Sequence, residues 1–261
     1  MNIKHFLLPL FSLFCFVGFA QTKVTDAMVH EIITDCVSRT GGFIVKEDVS
    51  ENQDKEIHIA LPNDYSHYEI TKALKPLMMA IENWYHPFKP WKVLDDGKMC
   101  SFNVAKDESK RSLTLVYRPE NCSLVIHDSP SNSINIPTPE SLSYSEYLQN
   151  TVVWGAINAL DGFIREEEQE NISPEDIQYR VRIQLQKDAT LASVISGLKP
   201  VTAMLGAAYY LSQPWKQEDY GGVECKFFAE LENEKKNMLI HFYYHPKPQV
   251  LTINFVTGLV K

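Results

Sequence analysis

The chain has 261 residues, 44% of them apolar and 22% charged, and a formal net charge of −8. That composition excludes a disordered polyelectrolyte and supplies apolar material for more than one core. The longest basic clusters are the pairs Lys110-Arg111 and Lys235-Lys236, so nucleic acid and anionic lipid surfaces, which demand concentrated Lys and Arg, are excluded as partners.

Residues 1–20 carry Lys4, an apolar stretch from Phe6 to Val17, then Gly18-Phe19-Ala20. Charged, apolar and small residues in that order are the layout of a secretory signal peptide, so cleavage before Gln21 and an exported protein, periplasmic or extracellular, are expected. The stretch is short for a hydrocarbon core of ~30 Å, and no later run approaches that length, so the mature chain is expected to have no transmembrane segment.

Val29, Ile32, Ile33, Cys36 and Val37 then fall at i, i+3, i+4, i+7 and i+8, the stripe of an amphipathic helix that Gly41-Gly42 ends. Phe43-Ile44-Val45 is a short strand candidate. Ile57, Ile59 and Leu61 alternate with His58 and Ala60, as a strand with one buried face does. Ser66-His67-Tyr68-Glu69 reads as a capping box opening a second helix, with Ile70, Leu74, Leu77, Ile81 and Trp84 on one face. Pro76 removes a backbone donor and crowds the previous turn, so a kinked helix or two short helices are expected there. Pro90-Trp91-Lys92 reads as a helix-to-strand corner with the Trp91 indole plugging the core, and three strands follow at Cys100–Val104, Leu113–Tyr117 and Leu124–Ile126. Residues 129–143 are rich in Ser, Pro and Asn and read as a linker.

Beyond the linker the same order returns. Residues 181–216 align without a gap on 57–92, and ten of the thirty-six positions are identical, where unrelated sequences share about two. Leu74-Lys75-Pro76 returns as Leu198-Lys199-Pro200, and Pro90-Trp91-Lys92 as Pro214-Trp215-Lys216. The expected architecture is therefore α+β, with residues 21–128 and 144–261 as two tandem copies of one domain. Each runs helix, strand, strand, kinked helix and three antiparallel strands, and Pro76, Trp91, Pro200 and Trp215 are its structural repeat residues. The second copy has a longer first loop holding Glu166-Glu167-Glu168-Gln169-Glu170, which reads as a solvated surface excursion. The order resembles the αββαβββ arrangement of roadblock-type and profilin-like domains. That resemblance implies a central antiparallel sheet with helices on its faces, and no activity, because such folds host unrelated functions.

Candidates for chemistry are few. Ser196-Gly197-Leu198-Lys199 matches the S-x-x-K pattern of penicillin-recognising serine enzymes, but the first copy has Lys72 at the serine position and no lysine-threonine-glycine triplet follows. His241 and His245 lie on a strand pattern, about 13 Å apart at strand rise and too far for one ion. His58 and His67 read as half-exposed surface imidazoles. Cys36, Cys100, Cys122 and Cys225 divide three to one between the copies, and Cys100 and Cys225 read as buried small apolar residues at matching strand starts. No cofactor signature and no metal site are found. Trp84, Tyr85, His86 and Phe88 crowd the end of the first kinked helix, answered only by Ala208, Tyr209, Tyr210 and Ser212. Rings offer contact area at little entropic cost, so these four are the candidate binding site for an unknown protein or glycan. The expected function is an exported binding or interaction protein rather than an enzyme. The alternatives are a hydrolase with its site at the seam between the copies, and a structural subunit of an envelope assembly.

Overall fold

Thr25 accepts a hydrogen bond from the Met28 N–H, and Gly41, at φ 64°, closes the last turn. The stripe of Val29, Ile32, Ile33 and Cys36 thus winds into helix α1 (Asp26–Thr40) and is buried. The structure, a computed structural model, describes residues 23–130, 142–173, 176–231 and 236–259. The expected signal peptide, residues 1–20, and most of the expected linker, 131–141, lie outside the described residues.

After α1 come β1 (Phe43–Val49), β2 (Lys55–Ala60), α2 (His67–Ile81), β3 (Tyr85–Val93), β4 (Met99–Ala105), β5 (Ser112–Arg118) and β6 (Ser123–Ser129). The second half runs α3 (Tyr144–Leu160), β7 (Phe163–Asn171), β8 (Ile177–Gln184), α4 (Leu191–Gly197), α5 (Lys199–Ala208), β9 (Tyr210–Gln217), β10 (Val223–Leu231), β11 (Lys236–His245) and β12 (Val250–Leu259). Among the described residues five α-helices thus accompany one twelve-stranded sheet, ordered β1-β2-β6-β5-β4-β3-β7-β8-β12-β11-β10-β9. Neighbouring strands are antiparallel except β3 and β7, which meet in parallel at Lys92 and Ile164.

The capping box at Ser66 and Glu69 forms as the sequence implies, and α2 carries Pro76 inside a continuous helix. Its counterpart breaks at Leu198 into α4 and α5, bent by 50°, with Pro200 in the first turn of α5. Gly197 explains the difference. It weakens the helix just before the break, and a Cβ there would stand 2.5 Å from Leu160 Cδ2, so a larger residue would have to displace the Leu160 side chain where α4 meets α3. No single helix among the described residues is long and apolar enough to cross a membrane.

Three sequence expectations are corrected. Each half has four strands after its second helix, not three: Pro90-Trp91-Lys92 and Pro214-Trp215-Lys216 lie within β3 and β9 rather than at a corner. Proline argues against a regular ladder, and β3 accommodates Pro87 and Pro90 at register shifts against β4, with a single bridge to β7 on its other side. The acidic run Glu166–Glu170 is likewise strand β7, not a loop. Its carboxylates pair across to β8, Glu166 with Arg182 and Glu168 with Arg180 at 2.9 Å, which offsets their mutual repulsion. Finally, the helices share one face of the sheet. Helices α1 and α2 bury their stripes with Ile57, Ile59, Leu113, Leu115, Leu124 and Ile126, while α3, α4 and α5 do so with Val181, Ile183, Ile240, Phe242, Leu251 and Ile253. The residues alternating with these, among them His58, His127, Arg182 and His241, form the opposite face. The four named are half-buried, though Val125 and Thr252 on the same face are buried, and no helix covers that face among the described residues.

The four cysteines among the described residues are free thiols. Cys36 and Cys225 are buried, Cys100 and Cys122 half-buried, and burial raises the thiol pKa of Cys36, Cys100 and Cys225, the last to about 11.

Candidate binding groove at the seam

Where the halves meet, Lys92 on β3 reaches Glu167 on β7 at 2.6 Å, and the Tyr179 hydroxyl donates to the same carboxylate at 3.0 Å. On the helical side, Lys75 of α2 pairs with Asp161 at the end of α3 and donates to the Asn158 carbonyl at 3.0 Å. Asn158 in turn donates from its side-chain amide to Glu82 at 3.1 Å. Asp161 sits in the left-handed region at φ 53°, which a short polar side chain tolerates, so the α3 terminus projects its carboxylate across the seam. Trp154 and Phe163 of the second half pack against the core of the first.

Two cavities follow. The inner one, lined by Thr71, Lys75, Met78, Trp91, Trp154 and Asp161 among others, measures about 30 Å³, room for water but not for a ligand. The outer one is an open groove of about 840 Å³ between the first turn of α2, residues 66–69, and the loop 184–188 with Phe163. Its floor is aromatic: the His67 ring stands edge-on to Phe163 at 5.7 Å and to Tyr117 at 6.2 Å. His67 Nε2–H donates to the Gly97 carbonyl at 2.9 Å, which fixes the ring. Glu69 accepts from the Ser66 backbone and hydroxyl at 2.9 and 2.7 Å, and those bonds hold its carboxyl below the usual range. The Tyr68 hydroxyl is buried with no hydrogen-bond partner among the described residues, and burial raises its pKa. Two of the groove's titratable groups, His67 and Glu69, are thus committed to fixing the backbone.

The sequence-derived candidates are dispersed. Tyr85 is wholly buried in the first core, Trp84 packs partly against it, and His86 and Phe88 are half-buried, Phe88 lying edge-on to Phe102 at 5.8 Å. The helix ends at Ile81, so strand alternation, not helical spacing, sets where these rings point. Ser196 and Lys199 fall on either side of the break at Leu198, in different helices. His241 and His245 are on strand β11, and no cluster that could hold a metal ion occurs among the described residues. The groove itself left no local trace in sequence, since its walls come from segments about a hundred residues apart.

The open face yields a pH expectation. Burial holds His127 and His241 below the ordinary histidine value, outweighing the upward pull of Glu56 and Glu224. On unfolding both regain a pKa of about 6.5. As pH falls below that value the unfolded chain therefore binds protons first, and stability present above it is lost on the way down to the depressed folded values. Urea midpoints are expected to drop between about pH 8 and about pH 5.5, and His127→Gln/His241→Gln should flatten the dependence. An unchanged slope in that variant would assign the effect elsewhere.

No protein-family model and no curated protein matches the sequence. Among solved structures, the chain is similar to a protein described as a thioesterase II from Thermobifida fusca, at 10% identity over 87% of this chain and 97% of that one, with a TM-score of 0.15. It is similar also to the bifunctional dehydratase-cyclase domain of ambruticin biosynthesis, at 9% identity over 84% and 96% with a TM-score of 0.19. The tesB protein of Mycobacterium avium subspecies paratuberculosis stands at 8% identity over 89% and 99%, with a TM-score of 0.19. Likenesses of that size leave both fold and chemistry to be read from this chain's own geometry.

Proposed function

We propose that this chain is an exported binding protein made of two copies of one domain, with its ligand site in the groove that the copies form at their seam. The duplication is supported by matching pairing registers. Phe43 faces Ala60 and Ile44 faces Ile59 before a shift at Lys46; Phe163 faces Gln184 and Ile164 faces Ile183 before the same shift at Glu166. Export is supported by the composition of residues 1–20.

The observation that carries the binding reading is the outer groove: about 840 Å³, with His67, Tyr68 and Phe163 in its lining and Gln184, Gln186, Lys187 and Asp188 on its far wall. That size and lining suit a small amphipathic ligand, a sugar or a short peptide, resting on the rings and bonding to the polar wall. A hydrolase at the same seam would need a nucleophile and base in mutual reach, and here the His67 and Glu69 groups that a hydrolase would recruit are tied to Gly97 and Ser66. Hydrogen exchange with soluble glycan and peptide panels is expected to protect 66–69 and 184–188. Protection confined to 84–91 would return the site to the Trp84, Tyr85, His86 and Phe88 segment. Ester turnover abolished by His67→Ala would favour the hydrolase.

A further inference from the structure

We propose that copies of this chain associate head to tail, with β9 of one copy docking beside β1 of the next in the arrangement that β3 and β7 adopt within the chain. The proposal is independent of the ligand groove. It rests on the sheet order, in which the first half reads β1-β2-β6-β5-β4-β3 and the second β7-β8-β12-β11-β10-β9. The order is the same in both, so the seam joins the last strand of one half to the first strand of the other. Strand β9, counterpart of β3, and strand β1, counterpart of β7, are then left as the two edges of the sheet among the described residues. One molecule displays at its ends both sides of the contact that it makes at its middle.

Burial tracks this relation residue by residue. Phe163 and Ile164 at the seam are 8% and 1% exposed, while Phe43 and Ile44 on the free edge are 60% and 46% exposed. Trp91 is buried and its counterpart Trp215 only partly so. The seam ion pair is Lys92 with Glu167, and both partners recur, as Lys216 on β9 and Glu47 on β1, so the edges are complementary in charge as well. Val45 and Val49 on β1, and Tyr210 and Leu211 on β9, extend the exposed apolar surface at the two ends. Pro214 does not block docking, because Pro90 occupies the same place at the seam, where a single bridge suffices.

A second copy is the occupant these features specify, since it alone supplies the matching edge with the same residues. The seam's helical contacts are not all repeated: Thr34 and Gly41 stand where α3 has Trp154 and Asp161. End-to-end association is accordingly weaker than the seam and depends on concentration. A contact of this kind is heterologous, and adds copies as a ring when the rotation closes and as a filament otherwise.

Sedimentation equilibrium of the purified chain tests it. The weight-average mass is expected to climb above the monomer as concentration rises. Ile44→Asp spoils β1 only, and Lys216→Asp, which sets a carboxylate against Glu47, spoils β9 only; both side chains are exposed in the folded chain, so folding is spared. Each variant alone should need about tenfold more protein to associate. Their equimolar mixture should form a dimer that cannot grow, one sound edge meeting the other. Glu47→Lys mixed with Lys216→Glu should associate as the parent does. A parent chain monomeric at every concentration overturns the proposal, whether its edges lie bare or are covered by other segments. Edge variants that associate like the parent, or a mixture of Ile44→Asp and Lys216→Asp no larger than its components, overturn it too.

Discussion

Asp128→Ala is expected to destabilise the protein by about 3–5 kcal/mol, the cost of leaving a buried charge without its partner. Asp128 is wholly buried at the end of β6 and Arg111 is 7% exposed, and they meet in two parallel bonds, Nε to Oδ1 and a terminal nitrogen to Oδ2, both at 2.7 Å. Arg111 donates both bonds, which raise its pKa, and with the carboxylate removed the guanidinium still stays charged because arginine does not lose its proton in proteins. Asp26, at the start of α1, also reaches Arg111 at 2.7 Å but is largely exposed, so it compensates little. A melting temperature lower by about 10 °C in calorimetry is the expected readout. Arg111→Met/Asp128→Leu, which removes both charges, should recover most of the loss. A single variant that melts with the parent, or a double variant worse than the single, would show that the buried pair does not carry that cost.

Trp91→Ala is expected to cost about 3–5 kcal/mol and Trp215→Ala about half as much, although the two occupy matching places in sequence. Trp91 is 4% exposed and lies beneath the seam, lining the inner cavity with Trp154. Its indole nitrogen is buried without a partner among the described residues, so the loss on truncation is one of packing and not of hydrogen bonding. Trp215 rests on Phe242 at a ring separation of 6.3 Å, with one side open, because no strand follows β9. Urea unfolding of the two variants measures the difference. Equal costs would mean that the seam adds nothing to the burial of Trp91.

The helices were legible because their signals are local. Ser66 with Glu69 and Gly41 act over a few residues, and the stripes at 29–37 and 70–81 point one way only when wound at helical period. Strands β3 and β7 were hidden for the same kind of reason. Proline and a run of glutamates are poor strand formers taken alone, and they are strands here because bulges absorb Pro87 and Pro90 while Arg180 and Arg182 on a neighbour receive the carboxylates.

The sequence by itself determined where the helical segments lie, most of the strands and the likeness of 57–92 to 181–216, since each follows from periodicity, capping or identity read along the chain. Only the tertiary structure decided that the halves share one sheet, that Tyr85 faces the core, that Trp91 is covered where Trp215 is not, and that the groove joins 66–69 to 184–188. Those outcomes depend on which strand edge meets which, and an edge contact through one bridge, an ion pair and a few packed rings leaves no periodic mark in either strand.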